Sequence, residues 1–338
     1  MVGKVSVVTI PALFPWMIRV VVEIRAFLNS DVPRLADLWN RQEAVAGRLQ
    51  VVTSALLETH IFSKSYFDPA GLLLAEMDQV LVGVTFCGFA PNDRGSKLDF
   101  RLGILSHSIW DIAATDSAWR MLWKAANDYF KHHGTELIFF GSRFPDCPYL
   151  TGLCGGTFVP GMVTTDRALA IRLNEVGFKA CGEVDVLTLD VQRFKPPVDR
   201  RVIMAKRSYD VRVAIDPLPD TWWQNSISAF RHQIDFRMVE RKSNRVCGYL
   251  SFCNTRPIDS GWDSRYFGIA QIQVDDALQR SGLGQAMLFD AIKDLGQRGV
   301  VEIEAQVPRA NTACLAMLKK IGFRLSYSAS QMHKFLGE

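Results

Sequence analysis

"VDDALQRSGLGQAM", residues 274–287, joins two periodic runs and carries glycines at 282 and 284. Upstream, "FGIAQIQV" (267–274) alternates in the manner of a half-buried strand. Downstream, "GLGQAMLFDAIKDLGQRG" (282–299) has helical apolar spacing and stops at Gly299. The quoted stretch is therefore a strand-to-helix turn. A helix N-terminus here presents unpaired N–H groups and the positive end of the helix dipole, which together suit a diphosphate. Glycines let phosphate oxygens reach the backbone with no Cβ in the way, and Arg280 adds a charge-assisted contact. Incidental glycines in an ordinary turn have the same spacing, so the G-x-G alone leaves both readings open.

The elements around this turn occur twice. In the first half "VVVEIRAFL" (20–28) reads as a strand, and Asp31 as the cap of a helix over "VPRLADLWNRQEAV" (32–45). A hairpin over 71–89 turns near Asp78 and Gln79, and a strand follows near 100–108. The helix "SAWRMLWKAANDYFKHHG" (117–134) and the strand "TELIFFGS" (135–142) complete the unit. The second half repeats this order as a hairpin (234–253), a strand (267–274), a helix (282–299) and a strand (300–307). Gly83 and Gly248, Gly103 and Gly268, and Gly134 and Gly299 each stand 165 residues apart. Gly177-Phe178 is answered by Gly322-Phe323 only 145 residues on, so the first half carries 20 extra residues, around "RFPDCPYLTGLCGGTFVPGM" (143–162). A constant offset across several elements marks two copies of one domain, at 20–195 and 200–338. The stretch "QRFKPPVDRR" (192–201) separates them.

Bulk properties narrow the class. Of 338 residues 48% are hydrophobic and 22% charged, enough for a core in each half. A net charge of +4 without Lys/Arg blocks does not suggest a nucleic-acid partner. Seven cysteines form no CxxC pair, which reads as reduced thiols in a cytoplasmic protein rather than disulfides or a zinc site. Val5–Ile18 is uncharged, but Pro11, Pro15 and the lack of a cleavage site favour an extension over a signal segment, and no membrane partner is expected.

The stretch resembles the central motif of the GNAT superfamily of acyl-CoA N-acyltransferases, in which a strand ending in Val leads into a Gln/Arg-x-x-Gly-x-Gly/Ala loop. Val274 and Gln279 to Gly284 match that spacing. "VEIEAQVPRANTACLAMLKKIGF" (301–323) resembles the family's next strand and helix, with Asn311 and Gly322-Phe323 in place. The resemblance implies an α+β fold of α/β-type three-layer form: two tandem domains, each a mixed, mostly antiparallel twisted sheet flanked by helices. It also implies acetyl-CoA as acyl donor and direct transfer of acetyl to a small-molecule or peptide amine, with no metal. On this reading the backbone of Gln279, Arg280, Ser281, Gly282, Leu283, Gly284 and Gln285 holds the CoA pyrophosphate. Val274 binds pantetheine and polarises the thioester, and Asn311 contacts the pantetheine or its thiol end.

Two departures leave catalytic roles open. The tyrosine that many members place seven residues after the Asn is Leu318, so the acid is water or another group such as Tyr327. The strand before the loop lacks a carboxylate, so the base falls to Glu302 or Glu304, which share one face of the next strand; that face is either a wet cleft or a solvated, salt-bridging surface. Asp275 and Asp276 read as turn residues, Trp222 and Trp223 as substrate-stacking or core, and Cys314 as nucleophile or packing. In the first copy the loop becomes "AATDSAWRML" (113–122), with Ser117 and Trp119 where the glycines stand. That copy is expected to have lost CoA and to buttress the second or help build the acceptor pocket. A CoA-binding regulatory or scaffold protein without catalysis is the rival reading.

Overall fold

The computed structural model describes residues 6–9, 21–42, 51–111, 114–142, 146–154, 156–228, 232–256 and 265–337. Residues 10–18 of the apolar N-terminal stretch, 43–45 of the expected first helix, and 143–145 and 155 of the extra segment lie outside these ranges.

In the first copy the strands Ser6–Thr9 (β1), Val21–Ala26 (β2), Leu72–Met77 (β3), Val80–Pro91 (β4) and Leu98–Trp110 (β5) pair antiparallel in that order. Leu137–Phe140 (β6) then lies parallel to β5. The β3–β4 hairpin turns at Asp78 and Gln79, with φ of 49° and 67°. Positive φ at both positions is the two-residue geometry that matches strand twist. Helices Val32–Asn40 (α1) and Ser54–Leu57 (α2) pack on one face of the sheet and Asp116–His132 (α3) on the other. Asp31 does not cap α1 as expected. Its buried carboxylate accepts from Leu28 N–H (2.8 Å) and pairs with Arg25 (2.6 Å), because Arg25 on β2 offers a charge-assisted partner. That guanidinium and the Leu28 amide hold the Asp31 carboxyl below its ordinary range, against the cost of burial.

Met162–Val163 (β7), Arg167–Glu175 (α4) and Lys179–Asp190 (β8) close the first copy. The second contains Arg200–Ser208 (α5), Tyr209–Ile215 (β9), Trp222–Ser228 (α6), Gln233–Glu240 (β10), Val246–Asn254 (β11) and Tyr266–Val274 (β12). Leu283–Gln297 (α7), Glu302–Pro308 (β13), Thr312–Ile321 (α8) and Arg324–Phe335 (β14) follow. β9 to β12 are antiparallel and β12–β13 parallel, repeating the first copy.

The copies share their final strands. β14 pairs antiparallel with β6 of the first copy and with β8, while β8 pairs antiparallel with β13 of the second. The order β5-β6-β14-β8-β13-β12 makes one continuous sheet. Within each copy the last strand runs parallel to the strand before the preceding helix, so the antiparallel neighbour comes from the other copy.

The extra segment reinforces this union. Its Cys147, Tyr149, Leu150, Leu153, Phe158 and Val159 are buried in the first copy's core. Trp223 of α6 enters the same core, 1% exposed, with its ring 4.8 Å from Tyr66. Trp223 is therefore a packing residue that ties the copies together; truncating a side chain buried this fully costs about 3–5 kcal/mol.

Candidate active site

Two irregularities open the second copy's sheet. Ser251 pairs with Gln271 but Phe252 pairs with Ile269, so Ala270 is an extra residue and β12 carries a bulge. The parallel β12–β13 ladder ends at Ile269–Ala305, among the described residues, while the strands run on to Val274 and Pro308. A gap therefore opens between them. Asp275 N–H donates to Cys247 O (3.0 Å) on the β11 side. Neighbouring residues alternate sides, so Val274 directs its N–H and C=O into the gap. Its carbonyl accepts from Gln279 Nε2 (3.3 Å), which pins the following loop to the strand end.

The loop delivers a bare helix terminus to that gap. Arg280 has φ of 58° and Gly282 of 93°, and no side chain caps the first N–H groups of α7. Acidic residues are absent from the first turn of α7. Ser281 Oγ donates to the Leu278 carbonyl (2.5 Å), and Leu283 is buried as an anchor. Gly282 is demanded by the chain itself, since a Cβ there would lie 2.8 Å from Arg201 Cβ. Gly284 is not: its Cβ would meet Val274 Cγ2 at 3.5 Å and Met317 Sδ at 3.8 Å, ordinary contacts. A helical glycine costs about 1 kcal/mol against alanine. The open space at Gly284 therefore fits a ligand that approaches the backbone. The side-chain Nε2 of Gln285 is buried without a partner among the described residues, another donor awaiting an acceptor. Asp275 pairs with Arg245 (2.9 Å) and Asp276 accepts from Gln279 Nε2 (2.7 Å), consistent with their reading as turn residues.

The first copy keeps the bulge, at Ser106, but closes the terminus. Thr115 Oγ1 accepts from Ala118 N–H (3.3 Å) and caps α3. Asp116 puts a carboxylate in the first turn, where it would repel an anion, and pairs with Arg172 (3.3 Å). Trp119, which stands 165 residues before Gly284, is 1% exposed and edge-on to Trp110 at 4.9 Å.

The catalytic candidates are placed less simply. Glu302 and Glu304 share a face, but the extra segment covers it. Glu304 is 6% exposed and accepts from Thr157 N–H (2.8 Å), Thr157 Oγ1 (3.0 Å) and Gln306 Nε2 (3.0 Å). The wet cleft is thus corrected to a buried anchor, and burial pushes the Glu304 carboxyl up. Tyr327 on β14 lies mostly buried near Glu304, and burial together with that carboxylate raises its phenol, weakening it as an acid. Asn311 caps α8, its Oδ1 accepting from Cys314 N–H (3.1 Å), which leaves its amide N–H groups free to face a ligand. Burial raises the Cys314 thiol, which favours packing over nucleophilic attack. Leu318 is buried.

A cleft missed in the sequence lies on the sheet face opposite α7, walled by Phe158 of the extra segment and covered by residues 217–220 and α6. Asp235, Arg237, Tyr249, Ser251 and Gln271 line it. The alternation of "QIDFRMVE" (233–240) was the available signal, but a polar strand face ordinarily faces water. Arg201, beside Gly282, was hidden in the interdomain stretch.

The bulged, splayed strand feeding an uncapped helix has the strand–loop–helix form that the resemblance of residues 274–287 implies. Residues 204–323 match the model of the acetyltransferase (GNAT) family. The family match thus lies within the second copy, and the solved structures show the likeness of the whole two-copy fold. The chain is similar to a tandem GNAT protein from the clavulanic acid biosynthesis pathway, at 13% identity and a TM-score of 0.63 over 94% of this chain and 99% of that one. A GCN5-related N-acetyltransferase from Sphaerobacter thermophilus is similar at 11% identity and a TM-score of 0.61, over 93% and 95%. The glucosamine N-acetyltransferase region of a fungal multi-domain GH3 beta-N-acetylglucosaminidase is similar at 17% identity and a TM-score of 0.67, over 92% of this chain and 38% of that one. At these identities the likeness concerns the fold. No curated protein sequence matches significantly. Among the described residues no helix is long and apolar enough to cross a membrane.

Proposed function

We propose that the second copy is an N-acetyltransferase that moves an acetyl group from acetyl-CoA to an amine, and that the first copy binds no CoA. The observation that carries this reading is the unclaimed N-terminus of α7 behind Gly284, set at the end of the opened strand. The backbone of Gln279 to Gln285, with Arg280, would hold the pyrophosphate. Asn311 would meet the pantetheine arm.

The chemistry follows from placement. A neutral amine nitrogen attacks the thioester carbonyl carbon, forming C–N while the carbonyl oxygen takes up charge. Val274 N–H, preorganised in the gap, stabilises that oxyanion. The C–S bond then breaks, the nitrogen loses a proton to water, and the thiolate gains one from water. Holding both reactants supplies much of the rate enhancement, because a well-oriented pair reacts as one molecule. Glu302, half-buried on β13, remains a candidate base, while Glu304 anchors the first copy's segment through Thr157.

A CoA-binding protein without catalysis is the second reading, favoured by Leu318 and by the burial of Glu304. Thiol release from acetyl-CoA by the full chain against a panel of amines separates the two. Amine-dependent release is expected; CoA binding without release supports the second reading. Substituting longer acyl-CoA donors in the same assay fixes the acyl group.

A further inference from the structure

We propose that β9, a free edge of the continuous sheet, pairs antiparallel with the β9 strand of a second identical chain. The two-fold axis passes through Val211, so that Asp210 of each chain faces Arg212 of the other.

β9 ends the strand order and pairs with β10 alone among the described residues. Its sequence, "YDVRVAI" (209–215), holds an unbroken register with β10. Lys, Pro and bulges, the devices that ordinarily keep an edge single, are absent from it. Hydrogen bonds at both ends of the ladder fix which groups face β10. Arg241 N–H donates to Ser208 O (3.0 Å) and Asp216 N–H to Gln233 O (2.8 Å). Residues of an antiparallel strand alternate sides, so the even-numbered ones bond to β10. Val211, Val213 and Ile215 therefore turn their N–H and C=O groups outward. Val213 and Ile215 are also 41% and 44% exposed. An apolar edge with unclaimed backbone groups is a template for another strand.

Charge selects which strand. Arg212 lies directly opposite Arg237 across the β9–β10 register, and neither makes an ion pair with a described residue. Like charges facing each other across strands are destabilising, so this row favours a carboxylate beyond Arg212. With the axis at Val211, the partner subunit's Asp210 takes that place, and two-fold symmetry forms the same pair twice. Arg241 holds Asp210 through Oδ1 (2.8 Å), and a carboxylate has a second oxygen to offer. Arg212 donates to the neutral Asn244 and keeps further N–H groups. An axis at Asp210 or at Arg212 would set like charges against each other, and one at Val213 would set Asp210 against Asp216. A longer shift would lean on Asp216, which leaves the strand at φ of 44° and is engaged by His232 and by Gln233 N–H. In the matched register Val213 meets the partner subunit's Tyr209, a β-branched residue against an aromatic one, which is a favourable cross-strand pair.

The test is sedimentation velocity on the full chain over a concentration series, with urea unfolding to check that each variant folds. The wild type is expected to form a dimer that grows with concentration. Arg212→Asp and Asp210→Arg should each weaken association by about tenfold or more, because two cross-strand pairs reverse sign. Mixing the two single variants restores opposite charges at every pair, so a heterodimer should form where neither variant dimerises alone. The double variant Asp210→Arg/Arg212→Asp should dimerise as the wild type does. A wild type that stays monomeric throughout overturns the inference and leaves the edge to a strand of another protein. Dimers that persist in both single variants, or a mixture that fails to recover them, also overturn it, since the chains would then meet elsewhere or in another register.

Discussion

Gly284→Glu separates a ligand-driven glycine from one that the fold requires, because its two effects have opposite signs. The protein itself leaves room: a Cβ at 284 meets its nearest neighbours at 3.5 and 3.8 Å. Replacing a glycine inside a helix by a good helix former gains roughly 0.5–1 kcal/mol. A carboxylate in the first turn adds about 0.3–1 kcal/mol through the helix dipole. The apo protein is therefore expected to gain about 1–2 kcal/mol, a rise of a few degrees in Tm. The same carboxylate occupies the anion site. Two unit charges 4 Å apart repel by about 4 kcal/mol at an effective dielectric constant near 20. Even half of that, opposing a diphosphate, weakens acetyl-CoA binding by more than about tenfold. Scanning fluorimetry and titration calorimetry on the same preparation read both numbers. A variant that binds acetyl-CoA as the wild type does, or one that is destabilised, refutes the reasoning.

Three further outcomes follow from particular contacts. Trp119→Ala should cost about 3–5 kcal/mol in urea unfolding, because it empties a fully buried site; a cost under 1 kcal/mol would contradict that burial. Burial raises the Glu304 carboxyl in the folded state, so its contribution to stability falls as pH rises from the unfolded value near 4.5 toward the folded one. Glu304→Gln should therefore gain on the wild type between pH 5 and pH 8 in urea unfolding; a pH-independent difference would count against the buried, raised carboxyl. Finally, separately expressed halves cut within 192–201 should fail to fold alone and should co-purify when co-expressed, since β14 lies between β6 and β8. Cooperative unfolding of either half as a monomer would sink that expectation.

Much of this was legible from spacing. Strand alternation, helical apolar periods and the 165-residue offset mark elements that the structure contains, since faces leave a periodic trace in sequence. Edges leave none, so nothing in β8 or β14 announces that each joins the other copy's sheet. Asp31 read as a cap because its partner, Arg25, belongs to a strand beside it only in space. Glu304 read as facing water because alternation distinguishes the two sides of a strand but not what covers them; Thr157, 147 residues earlier, does the covering. Asp235 passed unnoticed for the same reason. The loop at 279–285 was readable because its chemistry is local: positive φ, a missing Cβ and an uncapped helix lie within a few residues.

The central claim is one acyl-CoA site per chain, in the second copy. Titration of the full chain with acetyl-CoA, by calorimetry with native mass spectrometry, measures this directly. The account predicts one molecule bound per chain, weakened by Gly284→Glu and indifferent to substitution at exposed positions of the first copy. Two molecules per chain, or one that survives Gly284→Glu unchanged, would contradict it.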